Sequence, residues 1–443
     1  MPLETTITEL VTASNTLTNE VRRMIGEAPV VSSVTPGQQG FGVGICPGPL
    51  PAGMAEMPGT RDVAHDNYGN YQYSDGSVMV WIPAFYYKWG TGANGLAVNI
   101  VDIVPFIGGP YSTVAAANAA GYALHRAFYD GGAVQSGVFV DKYQCSNNGG
   151  IASSIALGNP LSTNAAHNPI SALNNAPANN YGGAILASKS RGVNFFCNTR
   201  FIHSALAMLS LAHGQAATAA TWCAWYDALG ITNYPKGNNN NALGDTNDAA
   251  IAYVPDGYPN AGKTGSANLF ARTTHNGQNC GVADLNGNMW EANPGITSDG
   301  VNYYILSSSA KMAATTAGNT LSTDLWGAAA LAARYVNLGP AYATLWATGA
   351  NRVVPLGSPT AQTLSEATSG AAWNAAGAGI PLVTGGANAF GNDYLWDYKP
   401  NEMCPISSGH WLDGAAAGVW TLNLGGVRAA SNSNVGFRAA LYL

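Results

Sequence analysis

Between Leu3 and Met24 the apolar positions recur in alternating steps of four and three: Leu3, Ile7, Leu10, Leu17, Val21 and Met24, with Ser14 the one polar residue in the series. That is a heptad seam, with β-branched Ile7 and Val21 at a and leucines at d. It predicts a helix over residues 1–28, ended by Gly26 and Pro29. So short a helix is marginal alone. It is expected either to oligomerise, as a parallel homotrimer, or to pack on its own domain. Residues 29–75 are rich in Pro and Gly and read as an irregular collar or linker. An apolar and aromatic run from Val78 to Tyr87 then predicts a strand, and Val138 to Tyr143 a second. Residues 146–192 are mostly Asn, Ala, Ser and Gly and predict loops. A helix is expected over Arg200 to Gln215, with Ile202, Ala205, Leu206 and Leu209 on one face, and a second short one over Ala217 to Leu229. Lys236 to Asp248 reads as a polar loop. The C-terminal third alternates short strands with long turns and ends in an apolar strand, Val435 to Leu443, whose terminus is expected to be tied into a sheet.

Composition sharpens this picture mainly through charge. Only 9% of the 443 residues are charged, against roughly 25% in typical soluble domains. Hydrophobic residues reach 47%, and 11 Trp, 21 Tyr and 11 Phe argue for an ordered chain with a sizeable core. The net charge is -6 with no basic run, so no nucleic-acid partner is expected. No long apolar stretch predicts membrane insertion. The N-terminus lacks the features of a signal peptide, so folding in the host cytoplasm is expected. The cysteines at 46, 145, 197, 223, 280 and 404 are far apart, with no C-x-x-C pair. Disulfides, a metal site or reduced buried thiols are the alternatives, and the last is expected.

The segment Gly281 to Glu291 (GVADLNGNMWE) carries the most information. Asn286-Gly287 predicts the positive φ angles of a tight hairpin turn. Met289 and Trp290 then open a strand, Trp290 facing the core, and Glu291 beside it needs a partner. The segment resembles the G-L-x-D-M-x-G-N-V-W-E-W signature of the formylglycine-generating-enzyme/sulfatase-modifying-factor family, with Ala292 in place of the second Trp. MVWIPAFYY is similar to that family's M-V-x-I-P-G-G-x-F. GVFVDKYQCSN is similar to F-x-I-D-K-Y-E-V-T-N, with Gln144 and Cys145 for Glu and Val. SNSNVGFRAAL resembles the closing S-x-x-x-x-G-F-R. The four pieces follow the family's order over residues 76–443. The resemblance implies an α+β fold: an irregular C-type-lectin-like domain of the formylglycine-generating-enzyme type, preceded here by the short N-terminal coiled-coil helix. Trp290, Glu291, Phe437 and Arg438 are expected to be structural, with Glu291 and Arg438 a buried charge-assisted pair.

Catalysis is not expected. The family's oxidising enzymes use a cysteine pair near the C-terminus to bind copper and activate oxygen, whereas Cys404 is the only cysteine here after Cys280. The related iron enzymes of ergothioneine synthesis need an H-x-x-x-H-x-E motif, which this sequence lacks. No catalytic residue, metal or cofactor is therefore assigned. His203 and His213 lie too far apart on one helix to be adjacent i, i+4 ligands and read as satisfied helix histidines. Asp245, Asn247 and Asp248 could join a calcium site, but without an EF-hand pattern they read as a solvated loop.

The same fold and ending occur in phage receptor-binding proteins, including retroelement-diversified variable proteins and tail-fibre proteins that end G-V-F-x-L-N-L-N-N-x-R-S-x-S-N-x-N-I-G-F-R-A-A. Residues 418–440 read GVWTLNLGGVRAASNSNVGFRAA, and ITELVTASNTLTNEV near the N-terminus looks like the first helix of tail-fibre proteins. The resemblance implies a virion tail-fibre or tail-tip protein. Its N-terminus would attach to phage tail proteins, and its loops at 390–434 would bind a bacterial surface receptor, glycan or outer-membrane protein. The candidate receptor-binding residues are Asn392, Tyr394, Trp396, Tyr398, Asn401, His410 and Trp411. Tyr and Trp supply contact area at small entropy cost, and Asn supplies adaptable hydrogen bonds. Trp420 is expected in the core; surface and core both stay open for Trp396, Tyr398 and Trp411. A metal-dependent oxidoreductase of the formylglycine-generating type and a virion decoration protein are the alternatives.

Overall fold

The computed structural model describes residues 35–89, 101–227, 234–307, 325–339, 350–353, 379 and 393–443. Among these, four α-helices accompany several small sheets, a mixed and sheet-rich α+β arrangement. The helix expected over 1–28, and Asn392, lie outside the described residues.

The apolar run from Val78 splits in two. Pro83 has no N–H to give a ladder and ends the Val78–Pro83 strand. Phe85–Trp89 starts a separate three-stranded sheet with Val101–Pro105 and Ala123–Leu124. Val78–Pro83 sits in the first six-stranded sheet, whose order is Met54–Glu56, Asn70–Tyr73, Val78–Pro83, Gly137–Asp141, Ala439–Leu441, Phe196–Cys197. Gly137–Asp141 is buried on both faces, so it reads as an unbroken apolar run. Two strands of this sheet come from the Pro/Gly-rich stretch read as a collar. The buried Tyr71 ties that stretch in. Its ring meets Phe139 edge-on at 5.1 Å, and its hydroxyl accepts the Cys46 N–H at 2.8 Å. Strands of three or four residues leave too little periodicity to show through glycine and proline.

The second six-stranded sheet runs Ala350–Val353, Tyr394–Asp397, Gly418–Asn423, Ile406–Ser408, Trp290–Ala292, Val435–Gly436. Val435–Gly436 lies parallel to Trp290–Ala292, and Ala439–Leu441 is already in the first sheet. The expected single C-terminal strand is thus two, and Phe437 and Arg438 occupy the crossover between sheets.

The helices are α1 Val114–Ala119, α2 Tyr181–Lys189, α3 Arg200–Ala216 and α4 Ala328–Arg334. Thr199 caps α3, its hydroxyl accepting from the Ile202 N–H at 3.3 Å. Instead of one apolar face, α3 is buried on all sides until its last turn. Ser210 Oγ on it donates toward Leu206 O and His275 O, whereas Ser204 Oγ has no hydrogen-bond partner among the described residues. No helix forms over 217–227; there Trp225 stacks on Tyr234 at 4.5 Å. Helix α2 falls where loops were expected. The Asn, Ala, Ser and Gly content of 146–192 suggested loops, but a Cβ on Gly183 would overlap Ala178 O, so close packing requires glycine inside the helix.

The expected Glu291–Arg438 pair joins the two sheets. Arg438 Nε donates to the two Glu291 carboxylate oxygens at 2.8 and 2.9 Å, and both side chains are fully buried. Arg438 Nη1 donates to Lys142 O at 2.9 Å, and Nη2 to Asp284 O at 3.1 Å and to Ala283 O. Gln144 Nε2 adds a bond to Glu291 at 3.2 Å. Burial pushes the Glu291 carboxyl up from its ordinary value, and the Arg438 charge opposes that. One guanidinium at the crossover therefore satisfies a carboxylate of the second sheet, the Lys142 carbonyl just beyond a strand of the first, and the Ala283 and Asp284 carbonyls that precede Trp290. Phe437 is buried beside it.

The turn before Glu291 differs from the expected hairpin. Positive φ falls at Gly287 (82°) and Asn288 (62°), not at Asn286. Gly287 bridges Asn238 in parallel, so the turn closes no hairpin. Its side chains act as struts: Asn288 Nδ2 donates to Gln144 Oε1 at 3.1 Å and Gly262 O at 3.0 Å, and Asn286 Nδ2 to Pro235 O at 2.6 Å.

Candidate functional site

Alternation along the second sheet sorts its residues by face. Glu291, Ser407, Leu422 and Leu395 are successive cross-strand partners, and all are buried. Residues one step away point to the opposite face. That face carries Trp290, Thr421, Asn423, Tyr394 and Trp396, which line a cleft of about 280 Å³ together with Asp413, Ala416 and Leu422. Trp290 is therefore not the core residue expected from the sequence; it is half-buried at the cleft wall. With Glu291 drawn inward to Arg438, the residue before it must face outward.

The cleft is shaped by short-range bonds. Thr421 Oγ1 donates to Ala416 O at 2.6 Å and accepts from the Tyr394 N–H at 3.2 Å, tying the 413–416 turn to the floor. Asn423 lies opposite Trp396 in the parallel ladder. Its Oδ1 accepts the Gly425 N–H at 2.7 Å, which leaves the amide donors of Nδ2 for other partners. A Cβ on Gly425 would lie 2.6 Å from the Trp396 indole nitrogen, so this glycine provides the seat for the ring. Asp413 Oδ2 accepts the His410 N–H at 2.8 Å. It also lies 2.7 Å from His410 Nδ1, an ion-pair distance without hydrogen-bond alignment. The His410 ring lies nearly parallel to the Trp290 ring, with centroids 6.4 Å apart.

Of the candidate receptor residues, the structure brings Tyr394 and Trp396 into the cleft and places His410 beside it. Tyr398 is 45% exposed just past the strand, and Asn401 is exposed. Trp411 departs from the expectation. It is buried with Ala261 and Met289, edge-on to His167 and Tyr258 at 5.9 Å each. Its backbone is pinned as well, since the Asn241 N–H donates to Trp411 O at 2.7 Å. Trp411 is thus a core residue. Asp413 and Asn423 complete the cleft and were not singled out from the sequence. The signal that could have found Asn423 and Trp290 was the period of two counted outward from Glu291 and Leu422.

Other candidates resolve as structural. His203 Nε2 faces Val419 O at 3.1 Å, and His213 Nε2 faces Trp222 O at 2.6 Å. Burial lowers both histidines, His213 to about 4. Asp245 is not solvated. It is buried, accepting from the Gly237 and Asn247 N–H groups at 2.8 Å each and from Asn239 Nδ2 at 3.1 Å. Three protein donors thus already share its two oxygens. All six cysteines are free and buried, and burial holds the Cys404 thiol well above its ordinary value. No motif in the sequence marked the His167–Asp256 pair. There Nε2 meets the carboxylate at 2.6 Å, Nδ1 meets Ser433 O at 2.6 Å, and the ring stacks on Tyr258 at 4.2 Å. No helix among the described residues is long and apolar enough to cross a membrane. No family model matches the sequence, and no curated protein matches it at a significant level.

Proposed function

We propose that this chain is a phage tail-fibre or tail-tip adhesin. In this reading a C-type-lectin-like domain of the formylglycine-generating-enzyme type binds a bacterial surface receptor through its C-terminal part. The observation that carries the reading is the cleft: two indoles and a phenol on one sheet face, with a carboxylate and a carboxamide among them. Such a surface gives contact area at low entropy cost and adaptable polar contacts, the requirements of recognition. Beneath it the Glu291–Arg438 pair and the asparagine struts hold the strand of Trp290, and pairing with Gly418–Asn423 holds the strand of Tyr394 and Trp396. Similarity of the ending to phage receptor-binding proteins supplies the biology, and an N-terminal trimeric helix would attach the domain to the tail. The reading is tested by competition. Purified full-length protein added to bacteria should block adsorption of the phage that carries it, in a saturable way. Adsorption unaffected at saturating protein would reject the adhesin role and favour a decoration protein.

A further inference from the structure

The adhesin reading leaves the receptor chemistry open, and the cleft narrows it. Resting on that reading, we infer that the cleft between Trp290 and Trp396 is a subsite for an oligosaccharide of more than one ring, neutral or amino-substituted. Spacing is the first argument. In sheet order the strands of Trp396 and Trp290 are separated by Gly418–Asn423 and Ile406–Ser408. Three inter-strand steps place their backbones about 14 Å apart. Two or more linked rings match a span of that size better than one pyranose ring does. The second argument is chemical. The apolar C–H face of a sugar ring suits an indole face, which is flat, apolar and rimmed by a polar N–H. A sugar hydroxyl is both donor and acceptor. Asn423 Nδ2 and the Asp413 carboxylate offer one group of each kind. Charge is the third argument. Among the described residues of the lining Asp413 is the one with a charge, so an acidic sugar is disfavoured.

The test uses full-length protein and bacteria that it binds. Envelope saccharide released from those cells by mild acid is titrated in, followed by tryptophan emission and calorimetry. Cell binding is measured in parallel after periodate oxidation and after protease treatment. The inference expects saturable binding of the released oligosaccharide, loss of cell binding after periodate and retention after protease. Trp290→Ala and Trp396→Ala should each weaken saccharide binding at least tenfold, and Trp396→Phe, which keeps a ring, should weaken it less. Melting curves identify any variant that fails to fold, and the Phe variant then carries the test. Binding that survives periodate but not protease would overturn the saccharide inference while leaving the adhesin reading intact. Monosaccharides binding as tightly as the oligosaccharide would overturn the two-ring geometry. No binding to any cell would instead remove the adhesin reading on which the inference rests.

Discussion

Replacing Arg438 with Ala tests how the two sheets are held together. The guanidinium meets both Glu291 oxygens, at 2.8 and 2.9 Å, and bonds the carbonyls of Lys142, Asp284 and Ala283. Its removal leaves a fully buried carboxylate with Gln144 as its remaining side-chain partner, and the carbonyls of Asp141, Lys142, Ala283 and Asp284 without that donor. Breaking a buried ion pair on one side costs about 3–5 kcal/mol, and the stranded carbonyls place this case toward the upper end. For domains of 150–250 residues each kcal/mol moves Tm by about 2–4 °C. This chain is larger, so the lower coefficient applies and the expected loss is about 6–10 °C. Arg438→Lys should recover only part of it, because an ammonium cannot reproduce the planar fork. The assay is thermal unfolding followed by near-ultraviolet circular dichroism, with Glu291→Gln as the complementary variant. An Arg438→Ala protein melting within about 2 °C of the parent would refute the argument, since the cost of an unpaired buried charge would then be missing.

Three further outcomes are expected. His213, lowered to about 4 from an ordinary 6.5 by burial, takes up its proton in the unfolded chain first as pH falls. Its contribution is complete above pH 6.5 and declines toward pH 4, at up to about 1.4 kcal/mol per pH unit. Denaturation profiles of His213→Gln should accordingly be shallower than the parent's by up to one proton over that window, and superimposable slopes would contradict the assignment. The six buried thiols should resist a thiol reagent in the native protein and all react after denaturation; rapid native labelling of Cys404 would contradict its burial. Gly237→Ala should be destabilised by at least about 1–3 kcal/mol, because the added Cβ would overlap Asn286 O under the motif turn; an unchanged unfolding midpoint would show that the turn can shift.

What the sequence revealed depended on how long each signal was. Val78 to Pro83 and Gly137 to Asp141 are buried strands whose apolar runs speak for themselves. Helix α3 was legible for the same reason, although its all-round burial was not, because alanines and serines resemble a solvent face until neighbours pack against them. The Glu291–Arg438 pair was found because two charges beside core aromatics in a charge-poor chain have few other options. Strands such as Met54–Glu56 and helix α2 escaped notice. The strands are too short for periodicity, and the helix contains glycines required by tertiary contact. The cleft was half legible. Aromatic density marked Tyr394 and Trp396, but whether a Trp in a turn-rich stretch faces out is decided by strand pairing. Trp411, whose backbone accepts from the Asn241 N–H and donates to Asn288 O, went the other way.

The most direct test of the central claim is equilibrium binding of the full-length protein to intact bacterial cells, compared with Trp396→Ala and with a surface control, Val193→Ala. Val193 is exposed and lies outside the cleft lining. The account predicts saturable binding by the parent, near-complete loss in the folded Trp396→Ala protein, and a smaller change in the control. Undiminished binding by Trp396→Ala would show that the aromatic cleft is not where the receptor is held.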